Sequence, residues 1–483
     1  MLRVEDILKA TRGKIVSGGT RGFTGVSVDS RTIQEGDLFV ALKGENFDGH
    51  DFLAAALRKG AGALVHCNAL CARGAGEKAD GLRSADYTGG KTIILVDDTL
   101  RALQDLARFL RKRFSGPVIG VVGSNGKTTT KELTASILGT RGKVHKTTGN
   151  LNNHIGMPLS LTRREEDAAA MVLEMGTNRP GDVRELCGIA LPDIGVVTNI
   201  GYEHLEGFGS LEGVRDAELE ILPYVKKLAV NADDRFLLEG VRAGYGGELL
   251  TFGIEARNAD VAAGAVRLSD EGTRFTLRLG GEAVEVHSRL SGYFNVYNSL
   301  AAAAAAHAAG FHPEEIRRGL EAFGGVAMRF EVRNCRGVAV LNDSYNANPS
   351  SMAVSVRELV RRISARDESR TPGRAIAVLG DMLELGEYAV PSHRELGRKL
   401  SHEPVDAFIG VGPLMALAVE EFGERGIHTD TSREAGEVVV KMVREGDIVL
   451  IKGSRGMRME TVLAELEEGA PAEPGRPAAG KEE

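Results

Sequence analysis

The sequence predicts an α/β protein of three domains, each built on a sheet of largely parallel strands. The first observation is length, because 483 residues exceed what one hydrophobic core usually holds. The second is that short apolar runs alternate with longer segments of helical period, a pattern typical of parallel sheets. The third is that this alternation falls into three blocks. We therefore predict domains at 1–113, 114–325 and 326–468, and a disordered tail at 469–483 that is rich in Pro, Gly, Ala and charge.

Composition narrows the class of protein. With 42% hydrophobic and 26% charged residues, the chain has the make-up of an ordinary globular protein. A net charge of −7 argues against a nucleic-acid partner. The four cysteines show no C-x-x-C pair, so neither a zinc site nor a disulfide framework is indicated. No apolar run reaches ~18 residues, and the first ten residues favour an amphipathic helix over a signal peptide. We expect a cytoplasmic protein without membrane insertion.

In the first block, apolar runs predict four short strands in a small α/β domain. One helix is predicted near 51–60, and a helical stretch at 99–113 connects to the second block. The strands are predicted at 26–30, 36–42, 62–67 and 92–98.

The second block predicts a parallel sheet with helices on both faces. Its strands are expected at 118–122, 171–176 and 193–200. Period-two stretches between 248 and 290 resemble an antiparallel addition, and an alanine-rich helix at 295–309 closes the block.

The third block, from about residue 329, predicts a doubly wound, Rossmann-like domain. Four apolar strands are separated by helical segments. They are expected at 338–343, 375–381, 407–412 and 447–453.

The most informative segment is the glycine turn between Val118–Val122 and the helix that follows. Gly123-Ser124-Asn125-Gly126-Lys127-Thr128-Thr129 places bare N–H groups and a helix N-terminus where an anion can bind. Lys127 can reach terminal phosphates, and the Thr128 hydroxyl can hold Mg²⁺. The strict phosphate-loop pattern is broken because Val121 stands at its first glycine. The sequence still predicts a nucleoside triphosphate site in a P-loop ATPase-like domain.

Polar groups end the neighbouring strands, where ligands bind in open α/β sheets. Glu174 interrupts an apolar run, and Asn199 and His204 follow the next strand. For Glu174 two interpretations stay open, a metal ligand or a carboxylate that caps the next turn. For His204 they are a ligand of a metal or phosphate, or a histidine in a surface loop. Glu218 lies on the apolar stripe of its helix, either as a functional carboxylate or at the rim of the core.

Several motifs together resemble the Mur ligase family of cell-wall peptide synthesis, whose members join a carboxylate to an amine with ATP. The resemblance covers about residues 1–467. In the central block it is carried by the glycine loop, TTGNLNNHIGMP at 147–158, LEMG, TNIGYEHLEGFGS and SGYFNVYNSLAAAAA. VDSRTIQEGDLFVALKGENFDGHDF at 28–52, NDSYNANPSSM at 342–352, GDMLELGEYAVPSH and LIKGSRGMRME are similar to the last-acting member, which joins D-alanyl-D-alanine to UDP-N-acetylmuramoyl-tripeptide.

The resemblance implies roles for matched positions. The first domain would bind the UDP end of the substrate through Ser30 and Arg31. In the central, ATP-binding domain, Lys127 would hold the γ-phosphate, Thr128 and Glu174 one Mg²⁺, and His204 a second. Asn150 and Asn153 match a loop near the substrate carboxyl and the phosphates. Asn295 and Asn298 match the adenine contacts of the family. Arg329 and Asp343 match residues of the third domain that reach the ribose and phosphates.

The third, ligase domain would supply the dipeptide pocket. Its matched positions are Asn346, Asn348, Lys452, Ser454 and Arg455. A cation there would suit the carboxylate of the dipeptide. Arg455 could instead cap its own helix region, and Asn295 and Asn298 could cap the start of theirs.

The sequence departs from the family at Glu218, where most relatives carry a carbamylated lysine that presents an anion to the second magnesium. A glutamate supplies a carboxylate without CO₂, either at the metal or with a shifted metal site. Other activities left open are the preceding ligase of the pathway, a folate polyglutamate synthase and a non-catalytic nucleotide-binding module. The family implies a monomer; the sequence does not say whether the tripeptide ends in lysine or diaminopimelate.

Overall fold

The structure is a computed structural model that describes residues 1–66, 91–269, 271–365 and 373–469. Three large sheets follow one another along the chain, each within one of the blocks seen in the sequence. Together with the relatives described below, this confirms the predicted three-part α/β architecture. The predicted disordered tail lies outside the described residues, apart from Gly469, as do Cys67 and Cys71.

The first sheet has five strands in the order β2-β7-β6-β5-β4, with β2 antiparallel to β7 and the other pairs parallel. A two-stranded ribbon, β1 with β3, lies beside it. The strands are β1 (Leu2–Arg3), β2 (Lys14–Ser17), β3 (Gly22–Phe23), β4 (Val26–Ser27), β5 (Leu38–Val40), β6 (Gly62–His66) and β7 (Thr92–Val96). The helices are α1 (Val4–Thr11), α2 (Leu53–Lys59) and α3 (Thr99–Lys112), with a 3₁₀ turn at Gly49–Phe52.

The central sheet has nine strands in the order β16-β15-β14-β13-β12-β11-β8-β10-β9. Its strands are β8 (Val118–Val122), β9 (Val144–Lys146), β10 (Ala170–Glu174), β11 (Ile194–Val197), β12 (Lys227–Asn231), β13 (Glu248–Gly253), β14 (Val261–Ser269), β15 (Gly272–Leu279) and β16 (Glu282–Ser288). Its helices are α4 (Lys127–Leu138), α5 (Gly156–Thr162), α6 (Asp182–Ala190), α7 (Leu205–Phe208), α8 (Leu211–Glu218), α9 (Arg235–Gly244), α10 (Tyr293–Ala308) and α11 (Pro313–Ala322), with a 3₁₀ segment at Leu219–Tyr224.

Helices cover both faces of the central sheet, as predicted. Alternate side chains of β8 point to opposite sides, so Val121 packs with α4 and α10 while Val122 packs with α6. The buried alanines of α10 let that helix lie close to the sheet and to α4. The resulting two-sided core fixes the carboxyl ends of β8, β10 and β11 at one edge.

The prediction of an antiparallel addition between 248 and 290 is wrong for β13. This strand pairs parallel to β12 because α9 carries the chain back to the same end of the sheet. Only the ladders from β14 through β15 to β16 are antiparallel.

The third sheet has six strands in the order β17-β18-β22-β19-β20-β21, parallel except for β17 at the edge. Its strands are β17 (Glu331–Cys335), β18 (Val338–Asp343), β19 (Ala375–Gly380), β20 (Ala407–Val411), β21 (Gly426–Thr429) and β22 (Ile448–Lys452). Its helices are α12 (Pro349–Ser364), α13 (Ala389–Ser401), α14 (Met415–Phe422), α15 (Ser432–Met442) and α16 (Glu460–Glu468), with 3₁₀ turns at Gly386–Tyr388 and Arg455–Met457.

None of the helices in the described ranges is both long enough and apolar enough to cross a bilayer.

Candidate active site

The glycine turn after β8 has the predicted form, with β8 before it and α4 after it. Two glycines are required by space as well as by conformation. Gly126 has φ +84°, and a Cβ there would lie 2.2 Å from the Asn298 Oδ1. Gly123 has φ +116°, and its Cβ would lie 2.2 Å from the Thr198 Oγ1. Any larger residue would push the turn away from both neighbours.

Hydrogen bonds hold the glycine turn against the segment after β11. The Ser124 hydroxyl accepts from the Gly201 N–H at 2.8 Å, and the Asn125 N–H donates to the Asn199 side chain at 3.1 Å. The Asn199 amide donates in return to the Asn125 carbonyl at 2.9 Å. The position of the turn is therefore fixed before any ligand binds.

Lys127 lies among buried carboxylates. Its Nζ donates to the Gly123 carbonyl and lies 3.5 Å from the Glu203 Oε2 and 4.0 Å from the Glu218 Oε1. Burial by itself would lower the pKa of Lys127, but the charges of Glu203, Glu218 and Glu174 outweigh it and the pKa is raised. Lys127 is thus a fixed cation at the helix N-terminus.

The carboxylates around Lys127, those of Glu174, Glu203 and Glu218, each have an oxygen that accepts no hydrogen bond from the described residues. Burial raises the pKa of Glu203 to about 8 and also raises that of Glu218, although Lys127 opposes both shifts. The Gly123 N–H donates to the Glu218 Oε2 at 2.8 Å. Within the described ranges, no hydrogen-bond partner reaches three buried oxygens, which are the Glu174 Oε2, the Glu203 Oε1 and the Glu218 Oε1.

Unpartnered buried carboxylate oxygens beside a phosphate-type loop fit a divalent cation. Magnesium commonly takes one or two protein carboxylates and completes its shell with water and phosphate oxygens. In the part of the chain that the structure describes, no three His, Cys, Asp or Glu side chains are already arranged around a common metal position.

Glu174 ends β10 and is only 3% exposed. The Asn152 amide donates to its Oε1 at 2.9 Å, and the Lys131 Nζ lies 3.7 Å from its Oε2. Lys131, itself 1% exposed, also donates to the Thr147 carbonyl at 2.7 Å. The sequence did not predict roles for Lys131 and Asn152, because their positions in the sequence do not distinguish them from other polar residues.

Asn150 and Asn153 both line the cavity described below, as the family match led us to expect. The Asn153 side chain is occupied, since its Oδ1 accepts the N–H groups of Ile155 and Gly156 at the start of α5. It is the intervening Asn152 that contacts Glu174.

Asn295 and Asn298 are buried on one face of α10 and bonded to each other at 3.1 Å. A cap accepts from backbone N–H groups, whereas the Asn295 amide donates to the Ser291 carbonyl just before the helix, so this bond does not match the capping alternative. Asn298 lines the cavity and contacts the glycine turn through Gly126.

The third domain meets the glycine turn at two points. Arg329 donates to the Thr128 hydroxyl at 3.1 Å and stacks 3.8 Å above the Tyr345 ring. The Asn348 amide donates to the Asn125 Oδ1 at 3.1 Å. Both contacts bring groups of the third domain to the predicted phosphate site.

Strand ends of the third domain form the opposite wall. Lys452 and Asp343 make a buried ion pair at 2.5 Å, and Lys452 also donates to the Asn346 carbonyl. Burial lowers the pKa of Lys452, and Asp343 partly offsets this. Ser454 accepts the Leu383 N–H.

Arg455 lines the same wall but is paired. Its guanidinium bonds Glu460 at 2.8 Å, within the segment that begins α16. This contact fits the interpretation that Arg455 binds within its own helix region. Its side chain is nevertheless 52% exposed, so a ligand can reach the guanidinium.

His204 lies at the N-terminal end of α7 with a left-handed backbone, at φ +44°. Its Nδ1 lies 2.7 Å from the Glu384 Oε2 of the third domain. Burial and the nearby Lys127 charge lower the pKa of His204, and Glu384 opposes them. Neither Glu203 nor Glu384 was singled out from the sequence, although both stand in motifs that matched the family.

All these walls enclose one cavity of about 1440 Å³. From the central domain, the lining includes the glycine turn and the side chains of Glu174, Glu203 and His204. From the first domain, it includes Glu45. Ser30 and Arg31 lie away from it; Arg31 is folded onto Asp29, which it bonds at 2.7 Å. Asn295 does not line the cavity either.

Comparison with known proteins adds an independent finding. Residues 22–111 match a family model described as Mur ligase family, catalytic domain. Residues 121–306 match the Mur ligase middle domain, and residues 328–455 match the Mur ligase, glutamate ligase domain.

Full-length relatives share one name, UDP-N-acetylmuramoyl-tripeptide–D-alanyl-D-alanine ligase. The protein of that name from Bacillus subtilis is 36% identical, over 92% of this chain and 93% of its own. The one from Escherichia coli is 33% identical, with the same two coverages.

Solved structures agree with the fold. A MurF from Acinetobacter baumannii superposes with a TM-score of 0.85 at 30% identity, covering 97% of this chain and 99% of its own. The MurF ligase from Thermotoga maritima in complex with ADP has a TM-score of 0.77 at 30% identity, covering 92% and 97%.

Proposed function

The chain belongs to the Mur ligase family, and from that premise we propose that it joins D-alanyl-D-alanine to the terminal carboxylate of UDP-N-acetylmuramoyl-tripeptide. The reaction consumes ATP, forms ADP and completes a precursor of peptidoglycan, the polymer that maintains cell shape and is remodelled at division. The relatives that carry this name span nearly the whole chain.

One observation carries the proposal. The phosphate-type loop, the buried carboxylates of Glu174 and Glu203, and the strand ends of the third domain line a single cavity, whereas Glu218 lies outside its lining. A ligase needs this arrangement, because the nucleotide, the carboxyl group and the incoming amine must meet in one place.

In the first step, a carboxylate oxygen of the tripeptide attacks the γ-phosphorus of ATP, and the bond from that phosphorus to the ADP oxygen breaks. Lys127 supplies positive charge to the transferring group, and the start of α4, where residues 126–129 line the cavity, would hold the phosphates. Arg329 and Asn348 add contacts from the third domain. Asn298 beside Gly126 supports an adenine site at α10.

Mg²⁺, when bound, would neutralise phosphate charge, and the side chains suited to hold it are those of Thr128, Glu174, His204 and Glu218. Glu174 is the best supported, since it lines the cavity and its Oε2 has no hydrogen-bond partner within the described ranges.

In the second step, the amine of the dipeptide attacks the acyl carbon, the bond to the phosphate oxygen breaks, and the nitrogen loses a proton. We assign the dipeptide to the wall formed by Asn346, Lys452, Ser454 and Arg455. An exposed guanidinium at Arg455 suits the dipeptide carboxylate. Closure of the third domain would keep water from hydrolysing the acyl phosphate.

The UDP end is assigned to Ser30 and Arg31 in the first domain, outside the cavity. A long substrate that stretches from the first domain to the cavity would use both regions. Because ATP and UDP-linked sugars are intracellular metabolites, we propose that the enzyme acts in the cytoplasm, and as a monomer like the family.

The proposal is tested by measuring ADP and phosphate release with purified full-length protein. Release is expected only when ATP, the UDP-muramoyl tripeptide and D-alanyl-D-alanine are all present. The lysine and diaminopimelate tripeptides are compared side by side to identify the acceptor.

Other outcomes identify the alternatives. Turnover with a UDP-muramoyl dipeptide and a single amino acid would indicate the preceding ligase, and turnover with a folate substrate would indicate a folate polyglutamate synthase. Nucleotide binding without turnover on any of these substrates would indicate a binding module.

A further inference from the structure

A short segment of the third domain, Leu383–Tyr388, docks on the central domain at His204–Gly209. Besides the contact between Glu384 and His204, the Tyr388 hydroxyl donates to the Gly209 carbonyl at 3.0 Å. Gly386 packs so closely on Glu206 that a Cβ at position 386 would lie 3.2 Å from the Glu206 Cβ. The docking therefore brings one carboxylate of the third domain to a histidine at the rim of the phosphate site.

Both partners hold an uncommon backbone conformation. His204 has φ +44° and Glu384 has φ +62°, in the left-handed region that few L residues occupy, although Asn, Asp and His do so more often than the others. Two such residues facing each other across a domain boundary indicate that the surrounding structure imposes the contact. Strained residues of this kind concentrate where geometry serves function.

Burial shows what the contact contributes. The His204 side chain is 23% exposed and that of Glu384 is 64% exposed. An ion pair with so exposed a partner adds little to the stability of the fold. The contact instead acts on the imidazole ring of His204. Because a carboxylate can only accept a hydrogen bond, the Nδ1 of the ring carries the hydrogen, and its Nε2 keeps its lone pair.

We propose that Glu384 is a positioning residue, which reaches from the third domain to orient the His204 imidazole and leave Nε2 as its ligating nitrogen. Closure of the third domain and completion of the His204 side of the phosphate site are then one event. A carboxylate behind a ligating histidine has this role in many metal sites. The inference rests on the proposed function, in which His204 faces the metal-bound phosphates.

The test uses full-length protein, four single variants and one double variant. Glu384→Ala removes the carboxylate, and Glu384→Gln keeps an oxygen that can accept from Nδ1. Tyr388→Phe is the matched control, because it removes the neighbouring contact between domains without touching His204. His204→Asn is measured alone and combined with Glu384→Ala, to test whether Glu384 acts through the histidine. Asparagine is chosen because it tolerates the positive φ of position 204.

Two quantities are measured after thermal melting has confirmed that each variant folds. One is the Kd for Mn²⁺ in the presence of a non-hydrolysable ATP analogue, read by electron paramagnetic resonance. The other is kcat and KM at limiting Mg²⁺. We expect Glu384→Ala to weaken Mn²⁺ or lower kcat by about tenfold to a hundredfold. Glu384→Gln should retain most of both, and Tyr388→Phe should match the wild type.

In the His204→Asn background, Glu384→Ala should cause almost no further loss. The proposal is overturned if Glu384→Ala matches the wild type in Mn²⁺ affinity and kcat, if Tyr388→Phe loses as much, or if the losses add in the double variant. A wild-type protein that forms no ADP with the two substrates would instead contradict the proposed function, while the Mn²⁺ measurements would still decide the role of Glu384.

Discussion

Among single residues, Lys127 has the most consequential surroundings. It is 14% exposed and lies between the carboxylates of Glu203 and Glu218, so it compensates their charge when no nucleotide is present. Binding of a triphosphate would redirect the ammonium from these carboxylates to phosphate oxygens. Under the proposed function, the same lysine would then serve both the structure of the site and the reaction.

We expect Lys127→Ala to lower kcat by about a hundredfold or more, because one preorganised charge at the transferring phosphoryl group is lost. Steady-state kinetics with all three substrates measure this. Lys143→Ala is the matched control, since that lysine is 62% exposed and pairs with Glu165 and Asp167 away from the carboxylates around Lys127. Near wild-type turnover in a folded Lys127→Ala protein would contradict the assignment.

Glu218 supports a second prediction at this scale. It is fully buried, and its Oε2 accepts the Gly123 N–H, so it belongs to the phosphate-type loop. Because a carboxylate needs no CO₂ to carry its charge, activity should not change when bicarbonate is stripped from the assay.

Glu218→Gln keeps an acceptor for Gly123 but lacks the charge, and should lower kcat most at limiting Mg²⁺. The measurement is the Mg²⁺ dependence of kcat. A variant with wild-type kcat and Mg²⁺ dependence would make Glu218 a structural residue of the loop.

The sequence predicted Glu218 because it interrupts an apolar stripe, and the structure confirms its burial. Glu203 and Lys131 are just as buried and were missed. Glu203 lies in an irregular loop and Lys131 on a polar helix face, so no hydrophobic period marks their burial. Glu384 was missed for another reason, since its partner lies 180 residues away in another domain, a separation that local patterns do not report.

At the scale of elements, the long central strands were the most predictable. β8 ends where the apolar run ends, because a strand buried on both faces reads as a continuous apolar segment. The edge strands β17 and β21 were missed, since they are half exposed and carry charged or polar residues. β13 was predicted as a strand, but its direction depends on α9 and not on its own period.

The contact between β9 and α5 predicts a pH effect on stability. Burial, assisted by the charge of Arg164, lowers the pKa of His145 to about 4. Folding therefore favours the neutral ring, relative to about 6.5 in the unfolded chain. The contribution is complete above pH 6.5 and is lost as the pH falls towards 4, by about 2 kcal/mol at pH 5.

His145→Gln keeps a partner for Ser160, which bonds the histidine at 3.2 Å, but does not titrate. Denaturant unfolding at pH 7.5 and pH 5 should show a smaller loss of stability in this variant than in the wild type. His287→Gln, at an exposed site on β16, is the control. Equal losses in all three proteins would show that His145 is not responsible.

At the scale of the whole molecule, α12 joins the third domain to the central one. Asn348 caps its N-terminus by accepting the Ser351 N–H at 2.7 Å and also donates to Asn125. The first turn of the helix adds Ser350, whose hydroxyl accepts the Tyr202 N–H at 2.9 Å. One helix start therefore carries both a local cap and the link between domains.

Asn348→Ser separates these two tasks. Serine is an equally good cap but is too short to reach Asn125, so the melting temperature should stay close to that of the wild type. Loss of one hydrogen bond between the domains should lower kcat/KM for ATP by about threefold to tenfold. Asn348→Ala should lose stability as well as activity. Unchanged kcat/KM in Asn348→Ser would show that the link to Asn125 does not serve the reaction.

The far end of α12 is also attached to the central domain, where the Arg362 guanidinium donates to the Ser291 hydroxyl at 2.6 Å. In mechanical terms, this 16-residue helix is a rod of roughly 24 Å that is fastened near both tips. Such a rod resists sliding and tilting but can roll about its own length. The third domain would then swing about the helix as an axle, and parts far from that axle, such as the edge strand β21, would travel the greatest distance.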